Sequence, residues 1–298
     1  MAMCVNGRRC AVLLATLGSL ALGTMTAPAD DWPKTPSQAL AFERADRMPP
    51  TSFYGTPTPL PPGEPGELIR SQVVTGYALP KGVRAVRILY HSQSATGEDV
   101  PASGVVLLPA GAAPPGRWPV IAWGHGTSGV ARICGPSEMK DVYYGAELFP
   151  FLRAGFALVA ADYAGLGTEV AHAFSSLNAE ANDIINAVRA AHAAVGELSP
   201  RWVVDGHSQG GGAAWLVAQR EARIRDFAGG ADDSVPPQSI RSVIERACRG
   251  GYALEFRVFP RLDHSAAMRE TISYQLHWIR ARFDNRPAPD NCAQWARH

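Results

Sequence analysis

The sequence predicts an α/β protein with a mostly parallel central sheet and helices on both faces. Strand-like and helix-like segments alternate along the chain, which is the pattern of a parallel sheet with helical crossovers. The runs "PVIAW" (119–123) and "FALVAA" (156–161) are continuously apolar, as expected of parallel strands buried on both faces. The 298 residues are 46% hydrophobic, which is enough apolar material for one sizeable core.

A β-rich stretch precedes the alternating part of the chain. The runs "AVRILYHSQ" (85–93) and "ASGVVLLPA" (102–110) flank the polar turn "SATGED", which predicts an antiparallel hairpin. Helices are predicted near 146–154, 180–195, 211–222 and 268–283, and further strands at "WVVDG" and "ALEFRVF".

The N-terminal residues have the features of an export signal. Arg8 and Arg9 precede an apolar run of 15 residues (11–25), and "APA" at 27–29 is a small-residue cleavage site. Because the apolar run is shorter than the roughly 20 residues that span a bilayer, no stable membrane anchor is expected. We expect a signal peptide over 1–29 and a single domain over 30–298. It would begin with an extended Pro-rich arm (30–70), and the protein would be extracellular or periplasmic.

Composition and motif content argue against several function classes. The formal net charge of +1, without a run of Lys or Arg, gives no basic patch for nucleic acid. The sequence has no Gly-rich phosphate loop, dinucleotide fingerprint or metal-ligand cluster, so no cofactor and no metal are expected. After export, Cys134, Cys248 and Cys292 would remain in an oxidising compartment, and their odd number predicts one disulfide and one free thiol.

The segment "WVVDGHSQGGG" (202–212) carries a Gly-x-Ser-x-Gly pattern between a predicted strand and a predicted helix. Such a turn is too tight for a side chain on either flank, so glycines leave the serine exposed as a nucleophile. Ser208 is therefore the candidate nucleophile. The backbone N–H groups of Gln209, which follows it, and of Thr127, in the loop "GHGTSG", are candidates to receive an oxyanion.

A serine hydroxyl needs a base and an acid that orients the base. His264 follows the predicted strand at 253–259, whereas His277 lies inside a predicted helix and His298 is the last residue. His264 is the preferred base. The loop "GGADDSVPP" offers the acid, with Asp232 preferred over its neighbour Asp233 and the choice between them open.

Two further strand-end segments are interpreted as structural. His125 precedes the serine and would require a different chain order to act as the base. Asp162 and Tyr163, after the strand at 156–161, are expected to form a turn instead of lining a pocket.

Several motifs occur together in the order of a known family. They are "FYGTPTPLPPGEPGELIRS", "ILYHSQSATGEDVPASGVVLLPAG", "VIAWGHGTSGVARICGPS", "ALVAADYAGLGT", "WVVDGHSQGG", "GGADDSVPP", "DHSAA" and "PAPDNC". With them the chain resembles the secretory lipases of the α/β-hydrolase superfamily. The resemblance implies ester hydrolysis with Ser208 as nucleophile, His264 as base and Asp232, in a D-x-x-V-P pattern, as acid. It assigns the oxyanion to Thr127 and Gln209.

The same resemblance implies a pairing of cysteines. Cys248 would bridge Cys292, and Cys134 would have lost a partner located in a cap segment. The substrate implied is a small ester or a lipid.

The chain departs from the family between the nucleophile and the acid. Ser208 and Asp232 are 24 residues apart, whereas the family holds a further strand and a helical cap there. After a helix, "RIRDFAGGA" remains and is expected to be a poor strand, because Arg225 and Asp226 would lie in the buried part of the sheet.

Two outcomes are open for this shortened segment. In the first, Asp232 follows the strand adjacent to that of Ser208, still reaches His264, and gives a capless, open-site esterase. In the second, the missing strand leaves a gap, and the chain is a truncated, weakly folding or non-catalytic relative. A peptidase or thioesterase using the same three residues is a further alternative.

Overall fold

The computed structural model describes residues 34–220, 223–229 and 231–295, so the expected signal peptide lies outside the described residues. The chain divides into two units, Met1–Glu43 and Arg44–His298. Helix α1 (Pro36–Asp46) begins in the first unit. It lies inside the segment 30–70 that the sequence predicts to be extended. Its residues after Pro36 are mostly good helix formers, and proline is well tolerated at the first helical position.

The described part of the second unit contains eight strands and five further α-helices. The strands are β1 (Leu68–Val74), β2 (Arg84–Gln93), β3 (Asp99–Leu108), β4 (Trp118–Gly124), β5 (Ala157–Ala161), β6 (Leu198–Gly206), β7 (Arg223–Gly229) and β8 (Ala253–Phe259). The helices are α2 (Phe149–Arg153), α3 (Leu177–Ala194), α4 (Gln209–Arg220), α5 (Pro237–Arg249) and α6 (His264–Phe283). None of these described helices is long and apolar enough to cross a membrane.

The central sheet is open and has six strands in the order β1-β2-β3-β5-β4-β6. The predicted hairpin is confirmed, since β2 pairs antiparallel with β3 from Arg84↔Leu108 to Gln93↔Asp99. β1 and β5 are also antiparallel to their neighbours β2 and β3, whereas β4 is parallel to both β5 and β6. The sheet is therefore mixed. The predicted parallel arrangement holds for β5, β4 and β6, which are joined by helical crossovers.

The last two strands form a separate sheet. β7 pairs in parallel with β8 from Arg223↔Ala253 to Gly229↔Phe259, and α5 connects them. The prediction that the residues before Asp232 would make a poor strand was wrong. It assumed a position in the buried central sheet, whereas β7 is part of a two-stranded sheet. The strand before Asp232 is also not paired with β6, in contrast to the arrangement expected for the capless alternative.

Helices cover both faces of the central sheet, as predicted. On one face Val120 belongs to a buried cluster that includes Ile184 of α3. On the other face Ile121 belongs to a cluster with Phe151 of α2 and Ile279 of α6. Consecutive residues of β4 thus point to opposite cores, which is why this strand is apolar throughout.

The two-stranded sheet has its own small core and a disulfide. Leu254 and Phe256 of β8 are buried with residues of α5. The disulfide Cys248–Cys292, which the resemblance implies, is confirmed and joins the end of α5 to the C-terminal segment. Cys134 is a free thiol.

A matched pair of substitutions tests the burial of the central strands. Val120 is 0% exposed and Val73, on the edge strand β1, is 75% exposed. We expect Val120→Ala to lower the free energy of unfolding by about 2 kcal/mol, from two lost carbons and the cavity they leave. Val73→Ala should change it by less than about 0.5 kcal/mol. Urea unfolding of both variants measures this, and equal effects would contradict the assigned burial.

Candidate active site

Ser208 lies on a sharp turn between β6 and α4. Its φ is +55°, in the left-handed region that non-glycine residues rarely adopt. A Cβ on Gly206 would overlap the carbonyl oxygen of Gly210, and a Cβ on Gly210 would overlap the carbonyl oxygen of Gly124. Glycine is therefore required on both sides of the serine, as the sequence pattern predicts, and the turn has the form of a nucleophile elbow.

Asp232 and His264 are brought together by the parallel pairing of β7 and β8. Asp232 follows the end of β7 and His264 follows the end of β8, and carboxyl ends of parallel strands meet at one edge of a sheet. A backbone hydrogen bond from the N–H of Ala231 to the carbonyl of Leu262, with an N···O distance of 3.0 Å, joins the two loops. Nδ1 of His264 then lies 2.8 Å from Oδ2 of Asp232.

The environment of Asp232 favours a carboxylate. Its Oδ1 accepts hydrogen bonds from the N–H groups of Ser234 and Val235, at 2.9 and 2.8 Å. Burial acts to raise the pKa of Asp232, but the hydrogen bonds from Val235 and His264 outweigh it, and the pKa lies below its ordinary value. An ionised Asp232 can hold the Nδ1–H of His264.

The structure also distinguishes the alternative residues that the sequence left open. Asp233 is exposed, and its Oδ1 is 3.5 Å from the hydroxyl of Ser234. His277 is exposed in the middle of α6, and His298 lies outside the described residues. Helix α6 begins four residues before the predicted start at Met268, because Asp263 caps it by accepting a 2.7 Å hydrogen bond from the N–H of Ala266. His264 is thus the first residue of a helix.

The loop after β4 lies against the nucleophile. A Cβ on Gly126 would be 3.3 Å from Cβ of Ser208. Two tyrosines hold the loop: Tyr144 Oη accepts a 2.8 Å hydrogen bond from the N–H of Gly126, and Tyr143 Oη donates one of 2.6 Å to the carbonyl of Thr127. The backbone N–H groups of Thr127 and Gln209 have no hydrogen-bond acceptor among the described residues.

The comparisons with known proteins can be placed beside this geometry. No family model matches the chain, and no curated protein matches it. Among solved structures, Candida antarctica lipase A in its closed state superimposes with a TM-score of 0.65. The match covers 84% of this chain and 92% of that chain at 14% identity. The chain has the α/β-hydrolase fold.

A second solved structure of the same class is the rice cell wall degrading esterase LipA from Xanthomonas oryzae. It is 24% identical over 63% of this chain, with a TM-score of 0.48. The present chain spans 55% of the length of that esterase. At these identities the likeness to solved structures concerns the fold.

His125 is held in the protein interior by ring stacking and by contacts with backbone carbonyls. It is buried and stacks on Tyr163 with ring centroids 4.2 Å apart. Burial lowers its pKa to about 4, so the imidazole is neutral and carries one N–H at pH 7. The shorter of its two contacts, 2.6 Å from Nδ1 to the carbonyl oxygen of Gly126, fixes the peptide unit whose N–H is that of Thr127.

The side chains of Thr127 and Gln209, the two residues whose N–H groups are oxyanion candidates, are joined by a hydrogen bond. Thr127 Oγ1 donates to Oε1 of Gln209 at 2.9 Å, and Nε2 of Gln209 donates to Oε1 of Glu180 at 2.7 Å. Burial raises the pKa of Glu180 to about 6. Sequence reasoning missed Glu180, which lies in the first turn of α3. A Glu there is typical of many helices, and no local signal marks its contact with Gln209.

Asp162 and Tyr163 take part in structural hydrogen bonds near the loop. The buried carboxylate of Asp162 accepts from the hydroxyl of Ser103 at 2.7 Å and from the N–H of Ser137 at 2.7 Å. Tyr163 donates to the carbonyl of His125 at 2.9 Å. Both residues stabilise the turn after β5.

Substitutions at the two adjacent aspartates test the assignment of the acid. We expect Asp232→Asn to slow the reaction of Ser208 with a fluorophosphonate by up to about 10⁴-fold, because an amide disfavours the required tautomer of His264. Asp233→Asn removes a charge one residue away and should leave the rate unchanged. Labelling rates, measured on variants with matched melting temperatures, decide the point. Slow labelling of Asp233→Asn together with wild-type labelling of Asp232→Asn would instead assign the acid to Asp233.

Proposed function

We propose that this protein is an exported serine hydrolase that cleaves carboxylic esters. The observation that carries the proposal is the His264–Asp232 pair, with its 2.8 Å contact, beside the elbow of Ser208. The imidazole of His207, the residue before the serine, contacts that of His264 with ring centroids 4.6 Å apart. The disulfide Cys248–Cys292 agrees with an oxidising compartment.

In the proposed mechanism, Asp232 binds the Nδ1–H of His264, which leaves Nε2 free to accept a proton. His264 removes the proton of Ser208 as its Oγ attacks the ester carbonyl, and the N–H groups of Thr127 and Gln209 stabilise the oxyanion. The protonated His264 then gives its proton to the departing alkoxide, leaving an acyl-serine. His264 then deprotonates a water that attacks the acyl group, and the protonated His264 returns the proton to Oγ of Ser208 as the acid is released.

The short segment between Ser208 and Asp232 bears on the substrate. The described part of this segment consists of α4 and β7, without the cap that the resemblance leads one to expect. An uncapped site gives a long acyl chain less apolar surface to contact. We therefore propose short or soluble acyl esters as substrates. The names of the similar structures, a lipase and an esterase, agree with ester chemistry.

The principal rival is a protein that keeps the fold without catalysis. One observation favours it: no strand pairing links β7 to β6 in the described chain, so the two parts of the site lie on different sheets. A peptidase or thioesterase would use the same residues and differs by its substrate.

Labelling with a fluorophosphonate separates these functions. We expect the wild type to be labelled and to hydrolyse p-nitrophenyl butyrate, and Ser208→Ala to lose both properties, because the nucleophile is removed. Ser273→Ala, at an exposed position of α6, is the matched control and should behave as the wild type. An unlabelled wild type with a cooperative melting transition would favour the non-catalytic protein. Faster turnover of peptide or thioester substrates would favour the other hydrolases.

A chain-length series tests the substrate class. Because the described residues between Ser208 and Asp232 form no cap, we expect kcat/KM for p-nitrophenyl esters to be highest for short acyl groups such as butyrate and to fall towards palmitate. Assays below and above the solubility limit of each ester measure this. A maximum at long chains, with activation at the lipid interface, would contradict the proposal.

A further inference from the structure

The candidate catalytic groups are divided between two sheets. Ser208 and Gln209 follow β6 of the six-stranded sheet, whereas Asp232 and His264 follow β7 and β8. In the described residues no backbone pairing joins the two sheets. In a continuous sheet, strand pairing would set the distance between nucleophile and base. Here the packing of α4 and α6 brings the two sheets together, and local side-chain contacts have to set the distance at the site.

Helix α6 is held against β6 at both ends. At its C-terminal end, the guanidinium of Arg201 donates to the carbonyls of Phe283 and Arg282, both at 2.9 Å. At its N-terminal end, Nε2 of His207 lies 3.2 Å from the carbonyl oxygen of His264. The second contact lies at the site itself, between the residue before the nucleophile and the candidate base.

The contacts of His207 define a single neutral tautomer. A carbonyl oxygen can only accept, so Nε2 carries the proton and donates to His264. Nδ1 then accepts from the hydroxyl of Tyr144, at 2.9 Å, while Tyr144 Oη accepts from the N–H of Gly126. One chain of hydrogen bonds thus connects the loop after β4, the turn that carries Ser208 and the first residue of α6.

The electrostatic environment supports this protonation state. Burial lowers the pKa of His207, the imidazole of His264 lowers it further, and the carbonyl of His264 with Asp232 acts in the opposite direction. The net shift is downward, so the neutral imidazole that the hydrogen bonds require is favoured at pH 7.

We propose that His207 is a positioning residue that fixes the position of His264 relative to Ser208, although the two residues follow strands of different sheets. The inference rests on the proposed function, because it assigns His207 a task in the same site. His207 acts through its contacts with His264 and Tyr144. Its Nε2–H is the essential group, because that atom bridges the two sheets.

Three substitutions test the roles of the two ring nitrogens of His207 separately. His207→Phe keeps an aromatic ring and removes both hydrogen bonds. His207→Gln can place an amide N–H near the position of Nε2, and His207→Asn retains a polar group only near Nδ1. His192→Phe is the control: the ring of His192 also contacts two backbone carbonyls, of Val188 and Ser199, but both belong to the part of the chain around α3 and β6.

Two measurements are made on each full-length variant. The first is the second-order rate of fluorophosphonate labelling of Ser208. A displacement of about 1 Å can cost about 100-fold in rate, so we expect a loss of this size in His207→Phe and His207→Asn, with most of it recovered in His207→Gln. The second is amide hydrogen exchange of residues 260–268, which should become faster in the same two variants while β4 and β5 stay unchanged.

The outcomes distinguish this proposal from the function on which it rests. Slow labelling and fast exchange in the Phe and Asn variants, both restored by Gln, support it. Wild-type rates and exchange in His207→Phe would overturn it, as would equal behaviour of the Phe and Gln variants or a similar loss in His192→Phe. If the wild type is not labelled, the proposed hydrolase function fails. Amide exchange of residues 260–268 in the Phe, Asn and Gln variants then tests by itself whether His207 holds the start of α6.

Discussion

The parallel pairing of β7 with β8 is the constraint on which the candidate site depends. It places the residues after the two strands at one sheet edge, so that Asp232 meets His264 although 32 positions separate them in the sequence. The two-stranded sheet is small, and such a sheet is marginal alone. It is stabilised here by packing against α5 and α4, by contacts of β7 with α6 and by the disulfide Cys248–Cys292, which restricts the unfolded chain.

The other part of the site is built around a strained backbone. Ser208 has a positive φ. The segment that contacts the loop after β4 contains two further non-glycine residues in the left-handed region, Val142 and Tyr143. Such residues cost about 1–3 kcal/mol each and persist where the surroundings fix them. The hydrogen bonds of Tyr143, Tyr144 and His125 to Gly126 and Thr127 join this segment to the loop after β4. In the described part of the chain, the N–H of Thr127 has no hydrogen-bond acceptor.

The two parts of the site lie on different sheets because the strand that follows β6 in the chain does not pair with it. A shorter connection between nucleophile and acid removes a strand and a cap that the family resemblance implies. It also leaves β6 as the edge of the main sheet. The geometry of Asp232 and His264 survives because it is set inside the two-stranded sheet. No strand pairing sets the geometry between Ser208 and His264. It depends on the packing of α6 against the main sheet and on the side-chain bridge through His207.

The sequence by itself determined the features whose signals are local. The glycines around Ser208, the hairpin of β2 and β3 and the buried strands β4 and β5 follow from steric limits and hydrophobic patterns within a few residues. The tertiary structure decided the contact of Asp232 with His264, the strand β7 and the contacts of His207, Tyr144 and Glu180. They depend on which distant segments pair. Neither residue spacing nor composition shows that β7 would pair with β8 outside the main sheet, so the sequence-based expectation assigned this strand to the wrong sheet.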